Sequence, residues 1–153
     1  MTEQLPVLAL GDLIDTRELQ PPVWVAHPLI TTFKVLIRPV GSKHQEFLEQ
    51  SQELKWDMAT MSRKAELDMD KYLRLFVEHV IVDWQGLTVK ELRKLVLLDD
   101  WKAVKRHKGE FACGLNEKLL LMRFSPSFNT WINKVCRDVE LFNREREEEA
   151  EKK

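Results

Sequence analysis

The stretch Val23-Trp-Val-Ala-His-Pro-Leu-Ile-Thr-Thr-Phe-Lys-Val-Leu-Ile-Arg-Pro39 decides the fold class of this 153-residue chain. Its first part, residues 23–26, is rich in residues that favour β-strands, and its second part, residues 31–38, alternates between apolar and polar positions. One face of the second part carries Thr31, Phe33, Val35 and Ile37. Period-two alternation is typical of a half-buried strand. The two parts together predict an antiparallel hairpin, and because a lone hairpin is only marginally stable, helices must cover its apolar side.

Helical patterns follow this hairpin. Ser42 with Gln45, and Thr88 with Glu91, have the spacing of capping boxes, so each pair predicts the start of a helix. The stripe predicted for the first of these helices comprises Phe47, Leu48, Leu54 and Trp56, and the buried face of the other comprises Leu92, Leu95 and Val96. Residues 57–64 and 99–114 show no clear period.

Three further helices are predicted. One begins around Asp68, continues through residues 80–84 and ends at Gly86, because glycine tolerates the left-handed conformation found at helix ends. A second extends from Leu115 or Asn116 to Leu121. The last begins at Ser125-Pro126, a good N-cap followed by a residue suited to the first helical position. Its apolar face is predicted to continue for four turns through Phe128, Trp131, Ile132, Val135, Val139 and Phe142.

These patterns predict an α+β fold that is mostly α. The N-terminal β-hairpin is expected to pack against a bundle of four to five helices that includes a long C-terminal helix. We expect residues 1–22 to form an extended arm, since Pro6, Gly11 and Pro21-Pro22 interrupt them, with one short turn around residues 8–14. Residues 23–143 would form a single domain, and residues 144–153 a charged tail that is either a solvated continuation of the last helix or a frayed end.

Composition narrows the class of function. The 24 basic and 25 acidic residues nearly balance, whereas binding to a phosphate backbone or an anionic membrane would favour a basic excess. The N-terminal sequence lacks a basic region ahead of its apolar stretch, so it does not resemble a signal peptide. No apolar run reaches the roughly 18 residues of a membrane-spanning helix. We therefore expect a cytoplasmic protein in which Cys113 and Cys136 are packed thiols rather than a disulfide.

Residues suited to catalysis or metal binding are scattered. His27, His44, His79 and His107 lie far apart, and none has a histidine or cysteine three or four residues away. The five glycines form no phosphate-binding loop. The adjacent acids Asp99-Asp100, and Asp68 with Asp70, are typical of helix caps and solvated groups. The sequence thus predicts no enzyme, no metal, no cofactor and no small-molecule substrate.

One basic segment, Trp101-Lys-Ala-Val-Lys-Arg-His-Lys108, keeps an alternative open. Basic residues beside an aromatic ring are what a contact with single-stranded nucleic acid would use. The acidic pair before the segment and its small number of charges favour a solvated surface instead. The five tryptophans should mostly be core anchors, although tryptophan is also enriched in protein interfaces.

Three stretches of the chain resemble the tail assembly chaperones of long-tailed phages and prophages. They are the hairpin of residues 23–39, the segment Leu75-Phe-Val-Glu-His-Val-Ile-Val-Asp-Trp-Gln-Gly-Leu87, and the leucine-rich Leu119-Leu120-Leu121 leading through Ser125-Pro126-Ser127-Phe128 to a charged C-terminal helix. The resemblance covers most of residues 23–150. It implies a non-catalytic chaperone of the bacterial host cytoplasm that covers the tape measure protein during tail morphogenesis. The tail tube protein and further copies of the chain are additional candidate partners.

The predicted last helix supplies the candidate contact surface. Its residues Trp131, Val135, Val139 and Phe142 would present an apolar face to a groove or helix of the partner. The alternative is that this face closes the core of the domain itself. Two other functions are alternatives to the chaperone: a structural tail or connector component, and a nucleic-acid-binding regulator that works through residues 101–108.

Overall fold

The fold is α+β, in agreement with the sequence pattern. A computed structural model describes residues 7–152, and within them five strands form two antiparallel sheets beside eight helices. The strands are β1 (Val23–Ala26), β2 (Lys34–Ile37), β3 (Gln52–Asp57), β4 (Ser62–Leu67) and β5 (Ile81–Gln85). The helices are α1 (Leu10–Leu13), α2 (Lys43–Gln50), α3 (Met69–Val80), α4 (Val89–Leu92), α5 (Trp101–Arg106), α6 (Leu115–Phe124), α7 (Pro126–Val135) and α8 (Val139–Glu151).

The larger sheet has the strand order β1-β2-β5, with β2 at its centre. β1 pairs antiparallel with β2 so that Trp24 lies opposite Leu36. The alternation read from the sequence appears in the burial of β2 and the residue before it, since Phe33, Val35 and Ile37 are fully buried while Lys34 is exposed. This buried face packs against side chains of α3 and α7, including Phe76, Val80, Phe128 and Ile132.

Residues 81–85 form a strand, so the prediction that the second helix continues to Gly86 is wrong. α3 begins at the predicted cap Asp68, whose side chain accepts hydrogen bonds from Asp70 and Lys71, but it ends at Val80. β5 then pairs antiparallel with β2, with Trp84 opposite Val35. Ile, Val and Trp favour strands, and the free edge of β2 supplies partners for their backbone, so tertiary pairing overrides the helical spacing.

The first predicted helix is shorter than expected. α2 ends at Gln50, and the hydroxyl of Ser51 donates a hydrogen bond back to the carbonyl of Phe47 at 2.6 Å. Leu54 and Trp56 lie in β3, which pairs with β4 across the stretch that showed no period, so their assignment to a helical stripe is wrong. Ser42 precedes α2 without a side-chain cap, whereas Thr88 and Glu91 form the predicted capping box.

The predicted final helix is divided into α7 and α8. Ser125 caps α7 through a hydrogen bond from Phe128, as expected, but the helix ends at Val135. Asp138 starts α8 by accepting a hydrogen bond from the backbone of Leu141 at 3.2 Å. Aspartate is a strong N-cap, which explains the break that the apolar spacing did not reveal. α8 continues to Glu151, so most of the predicted tail is helical.

The N-terminal segment contacts the body of the protein through polar groups. The carboxylate of Asp15 forms ion pairs with Arg17 and with Arg146 of α8, each at 2.9 Å. The Arg38 side chain donates to the carbonyl of Gln20 at 2.9 Å. α1 lies in the stretch for which a short turn was predicted. The first six residues of the predicted arm lie outside the described residues.

Candidate protein-binding groove

An apolar groove lies beside β5, an edge strand of the larger sheet, and has a volume of about 400 Å³. Residues from β5, the α4 region, the segment before α6 and α6 itself form its walls. The lining residues are Trp84, Leu87, Leu92, Val96, Leu97, Phe111, Glu117, Leu120, Leu121 and Phe124. Glu117 is the single charged side chain among them. A concave surface of this size and polarity suits apolar side chains of a ligand or a partner.

Helix α6 forms one wall because its residues recur at helical spacing. Glu117, Leu120, Leu121 and Phe124 are three, four and seven residues apart, which places them on one side of the helix. Leu121 is buried, so it anchors α6 to the core. Leu120 and Phe124 are 44% and 67% exposed, so much of their surface is open to a partner.

The opposite wall is fixed by two hydrogen bonds that the backbone of Phe111 forms, one through its carbonyl and one through its N–H group. The indole N–H of Trp84 donates to the carbonyl of Phe111 at 2.9 Å, and the backbone N–H of Phe111 donates to the carbonyl of Leu87 at 2.8 Å. The first bond satisfies the polar atom of a tryptophan that is otherwise buried. Together they hold residues 84–87 and 111 in one layer.

The turn at Gly86 joins β5 to the groove. Its φ is +80°, and a Cβ atom there would lie 1.9 Å from the carbonyl oxygen of Thr32. Only glycine fits such a turn without strain. The backbone N–H of Gly86 donates to the carboxylate of Glu110 at 3.1 Å. Gly86 therefore sets the direction in which the chain enters the groove wall.

Glu91 is a buried acid that holds α4 in place. Its carboxylate accepts hydrogen bonds from the backbone and hydroxyl of Thr88, and from the hydroxyl of Thr32 at 3.0 Å. Burial by itself would raise the pKa of Glu91, but the hydrogen bonds from Thr88 and Thr32 outweigh it and hold that pKa below its ordinary value. Glu91 thus acts as an ionised structural group that ties α4 to the loop between β1 and β2.

The groove residues that come from α4 and from the turn after it differ in their exposure to solvent. Leu92 and Val96 are partly buried, and Leu95, on the core side, is buried. Leu97 is fully exposed, at 101% of its reference area. Together with Leu120 and Phe124, Leu97 extends the exposed apolar surface of the groove, and contiguous apolar patches on monomers tend to mark interaction sites.

The four residues predicted as a partner-binding face are placed differently. Trp131, Val135 and Phe142 lie in the core and are at most 9% exposed, while Val139 is 70% exposed at the start of α8. The break between the two helices places Val139 and Phe142 on α8, apart from Trp131 and Val135 on α7. The groove residues Leu97, Leu120 and Phe124 were not singled out from the sequence. Their signal was the density of leucines in residues 95–98 and 119–121, which reads equally well as core.

The residues considered for chemistry occupy separate structural positions. Burial raises the pKa of the Cys113 and Cys136 thiols to about 11, so both are protonated near neutral pH. His27 accepts hydrogen bonds from the backbone of Leu29 and Ile30 and packs on Trp131. His79 faces the carbonyl of Pro39. Between residues 7 and 152, no three His, Cys, Asp or Glu side chains are arranged to hold a metal ion.

The basic segment forms a short surface helix. Asp100 caps α5 by accepting a hydrogen bond from Ala103, and the helix ends at Arg106. The guanidinium of Arg93 lies over the ring of Trp101, 5.4 Å from its centroid. This contact occupies one face of the ring that a nucleic-acid base would use for stacking.

Among the helices within residues 7–152, none is both long and apolar enough to cross a membrane. Comparisons of the chain with family models, with curated proteins and with solved structures gave no match.

Proposed function

We propose that the chain is a non-catalytic tail assembly chaperone that binds the tape measure protein of a long-tailed phage through the apolar groove. The resemblance described above suggests this class of protein. The observation that supports it best is the open groove of about 400 Å³, in which nine of the ten lining residues are apolar. A chaperone of this kind needs contact surface for apolar segments rather than a reactive centre.

The groove suits an amphipathic helix of the partner. Such helices present apolar side chains at three- and four-residue spacings, and they bind in apolar grooves through those anchors. Leu97 and Phe124 stand exposed at the groove and would cover a partner's apolar face. Glu117 would remain available for a basic residue at the edge of that face.

Binding of this kind would keep the tape measure protein soluble by mass action. A chaperone that binds the unassembled state lowers the free concentration of exposed apolar segments by a factor that grows with its own concentration and affinity. The charged surface and helix α8, which carries most of the charged C-terminal residues, would keep the complex dispersed. The tail tube protein would displace the chaperone as the tube polymerises.

Co-expression with the tape measure protein tests the proposal. We expect the tape measure protein to be soluble with the wild-type chain and to aggregate with Leu97→Asp or Phe124→Asp. Leu29→Asp is the matched control, since Leu29 is 85% exposed but is not part of the groove. Equal loss of solubility with the control would argue against a specific groove contact, and no effect of wild type would argue against the chaperone function.

The distribution of the protein separates the chaperone from the structural tail component. A chaperone should be present in infected cells and absent from purified particles. Recovery of the chain from intact particles in a fixed ratio to the tube protein would instead favour a structural role. Both outcomes can be read from the same infection by quantitative mass spectrometry.

A further inference from the structure

The hairpin formed by β3 and β4 stands apart from the core. None of its residues from 52 to 67 is buried, although its two faces differ strongly. One face carries Gln52, Leu54 and Trp56 on β3, opposite Leu67, Ala65 and Arg63 on β4. The other carries only charged and polar side chains. A two-stranded hairpin without support is marginally stable in water, and three or more strands are needed for independent stability.

The charged face is only partly neutralised. Two ion pairs run diagonally across it, Lys55 to Glu66 at 3.2 Å and Lys64 to Asp57 at 2.6 Å. Directly opposite residues carry the same charge, however, because Glu53 faces Glu66 and Lys55 faces Lys64. Like charges in opposite positions destabilise a strand pair. Glu53 forms no salt bridge with any of the residues 7–152, so it is the acid on this face that lacks a cation.

The outer edge of β3 has free backbone groups at defined residues. The backbone N–H of Asp68 donates to the carbonyl of Ser51 at 2.8 Å, which fixes the alternation of hydrogen-bonded pairs along the hairpin. In an antiparallel pair, residues of the intervening pairs point their N–H and C=O groups away from the partner strand. Those residues on β3 are Gln52, Leu54 and Trp56. The edge they form is open to another strand.

We propose that two copies of the chain associate through this edge, with β3 of one copy antiparallel to β3 of the other and Leu54 on the two-fold axis. In this register the outward N–H and C=O groups of Leu54 form hydrogen bonds with those of Leu54 in the second copy, and the outward groups of Gln52 form them with Trp56 of the second copy. Glu53 then lies opposite Lys55 of the second copy, and Lys55 opposite Glu53. These two pairs occupy non-hydrogen-bonded positions, where side chains approach most closely.

The charges of Glu53 and Lys55 favour this register over the two registers shifted by one residue. Moving the axis to Glu53 would place the two Glu53 side chains opposite each other, and moving it to Lys55 would do the same for the two lysines. Of these three registers, only the one centred on Leu54 places opposite charges opposite each other at Glu53 and Lys55. A register centred on Trp56 would leave Glu53 without a cation and would use Asp57, which Lys64 already pairs. The register centred on Leu54 also gives the unpaired Glu53 a cation and produces a four-stranded sheet with a continuous apolar face around Leu54 and Trp56.

The outer edge of β4 has a comparable register centred on Ala65, but it is less favourable. Both of its charged residues, Lys64 and Glu66, already have ion-pair partners within the hairpin, whereas of the two on β3 only Lys55 does. The residue on its axis is alanine, which offers less apolar contact than leucine. The β3 edge is therefore assigned as the interface. This assignment is independent of the groove and of its proposed partner.

Sedimentation equilibrium of the full chain tests the interface. We expect the wild type to approach twice the monomer mass of 18.1 kDa with increasing concentration. Glu53→Lys or Lys55→Glu alone should weaken the dimer by about tenfold or more, because each places like charges opposite each other twice. An equimolar mixture of the two variants should restore the dimer, since their charges are then complementary across the axis.

The control pair is Lys64→Glu and Glu66→Lys, which alters the same face on β4. We expect these variants to dimerise like the wild type. The proposal is overturned if the wild-type chain stays monomeric at its highest soluble concentration, or if the β3 variants dimerise as well as the wild type. It is also overturned if the mixture of β3 variants fails to associate although each variant retains the wild-type circular dichroism spectrum. Greater loss with the β4 pair would assign the interface to the other edge and overturn it as well.

Discussion

Replacement of Gly86 by alanine should destabilise the protein more than any other single added methyl group at a glycine. Two effects combine at this position. The φ of +80° requires alanine to adopt a left-handed conformation, and the new Cβ atom would lie 1.9 Å from the carbonyl oxygen and 2.9 Å from the carbonyl carbon of Thr32. The clash is with backbone atoms rather than with a flexible side chain, so the backbone of the turn between β5 and the groove wall must shift.

The magnitude follows from these two terms. Left-handed backbone costs a non-glycine residue about 1–2 kcal/mol, and overpacking that forces backbone shifts typically costs a further ~1–3 kcal/mol. We therefore expect Gly86→Ala to lower the free energy of unfolding by about 2–5 kcal/mol. For a chain of this size that corresponds to a fall in Tm of about 4–20 °C.

Gly109→Ala provides the matched control. Gly109 also has a left-handed φ, +93°, but no heavy atom lies within 4 Å of its added Cβ. It should lose only the conformational term, about 1–2 kcal/mol. Urea unfolding of both variants, followed by circular dichroism, measures the difference. Equal destabilisation of the two variants would refute the close approach to Thr32, and with it the account of how the groove wall is positioned.

Three other outcomes are expected. Glu91→Gln should lower the free energy of unfolding at neutral pH by about 1.5–3 kcal/mol, since hydrogen bonds to a charged group are lost. Because the native pKa of Glu91 is lowered, its contribution to stability is present above the unfolded pKa and disappears as the pH falls through the native pKa. The free energies of unfolding of the wild type and the variant should therefore converge in acid. Asp138→Ala should cost about 1 kcal/mol by removing the cap of α8, measured by thermal unfolding. Cys113 and Cys136 should react with a thiol reagent far more slowly in the native protein than in denaturant at the same pH, and equal rates would contradict their raised pKa.

Local signals in the sequence were sufficient for part of the fold. The alternation around Phe33, Val35 and Ile37 predicted a buried strand face, and the caps at Asp68, Thr88 and Ser125 mark helix starts in the structure. These features depend on residues a few positions apart. Local propensity and spacing therefore determine them.

Features that depend on distant residues were not predictable in this way. Residues 81–85 carry both helical spacing and strand propensity, and only the free edge of β2, more than forty residues earlier, decides between them. The β3–β4 hairpin was missed because its apolar residues face solvent, so Leu54 and Trp56 looked like part of a buried helical stripe. The groove was missed for the converse reason, since exposed leucines near Leu97 and Leu120 are indistinguishable from core leucines in a sequence.

Amide hydrogen–deuterium exchange, with and without the tape measure protein, tests the binding account most directly. Bound tape measure should slow exchange in two segments that line the groove, residues 89–97 and α6, while α8 beyond Asn143 should exchange at the same rate in both samples. Protection confined to α8 or to the basic helix α5, with the groove segments unchanged, would contradict the proposal that the groove is the contact surface.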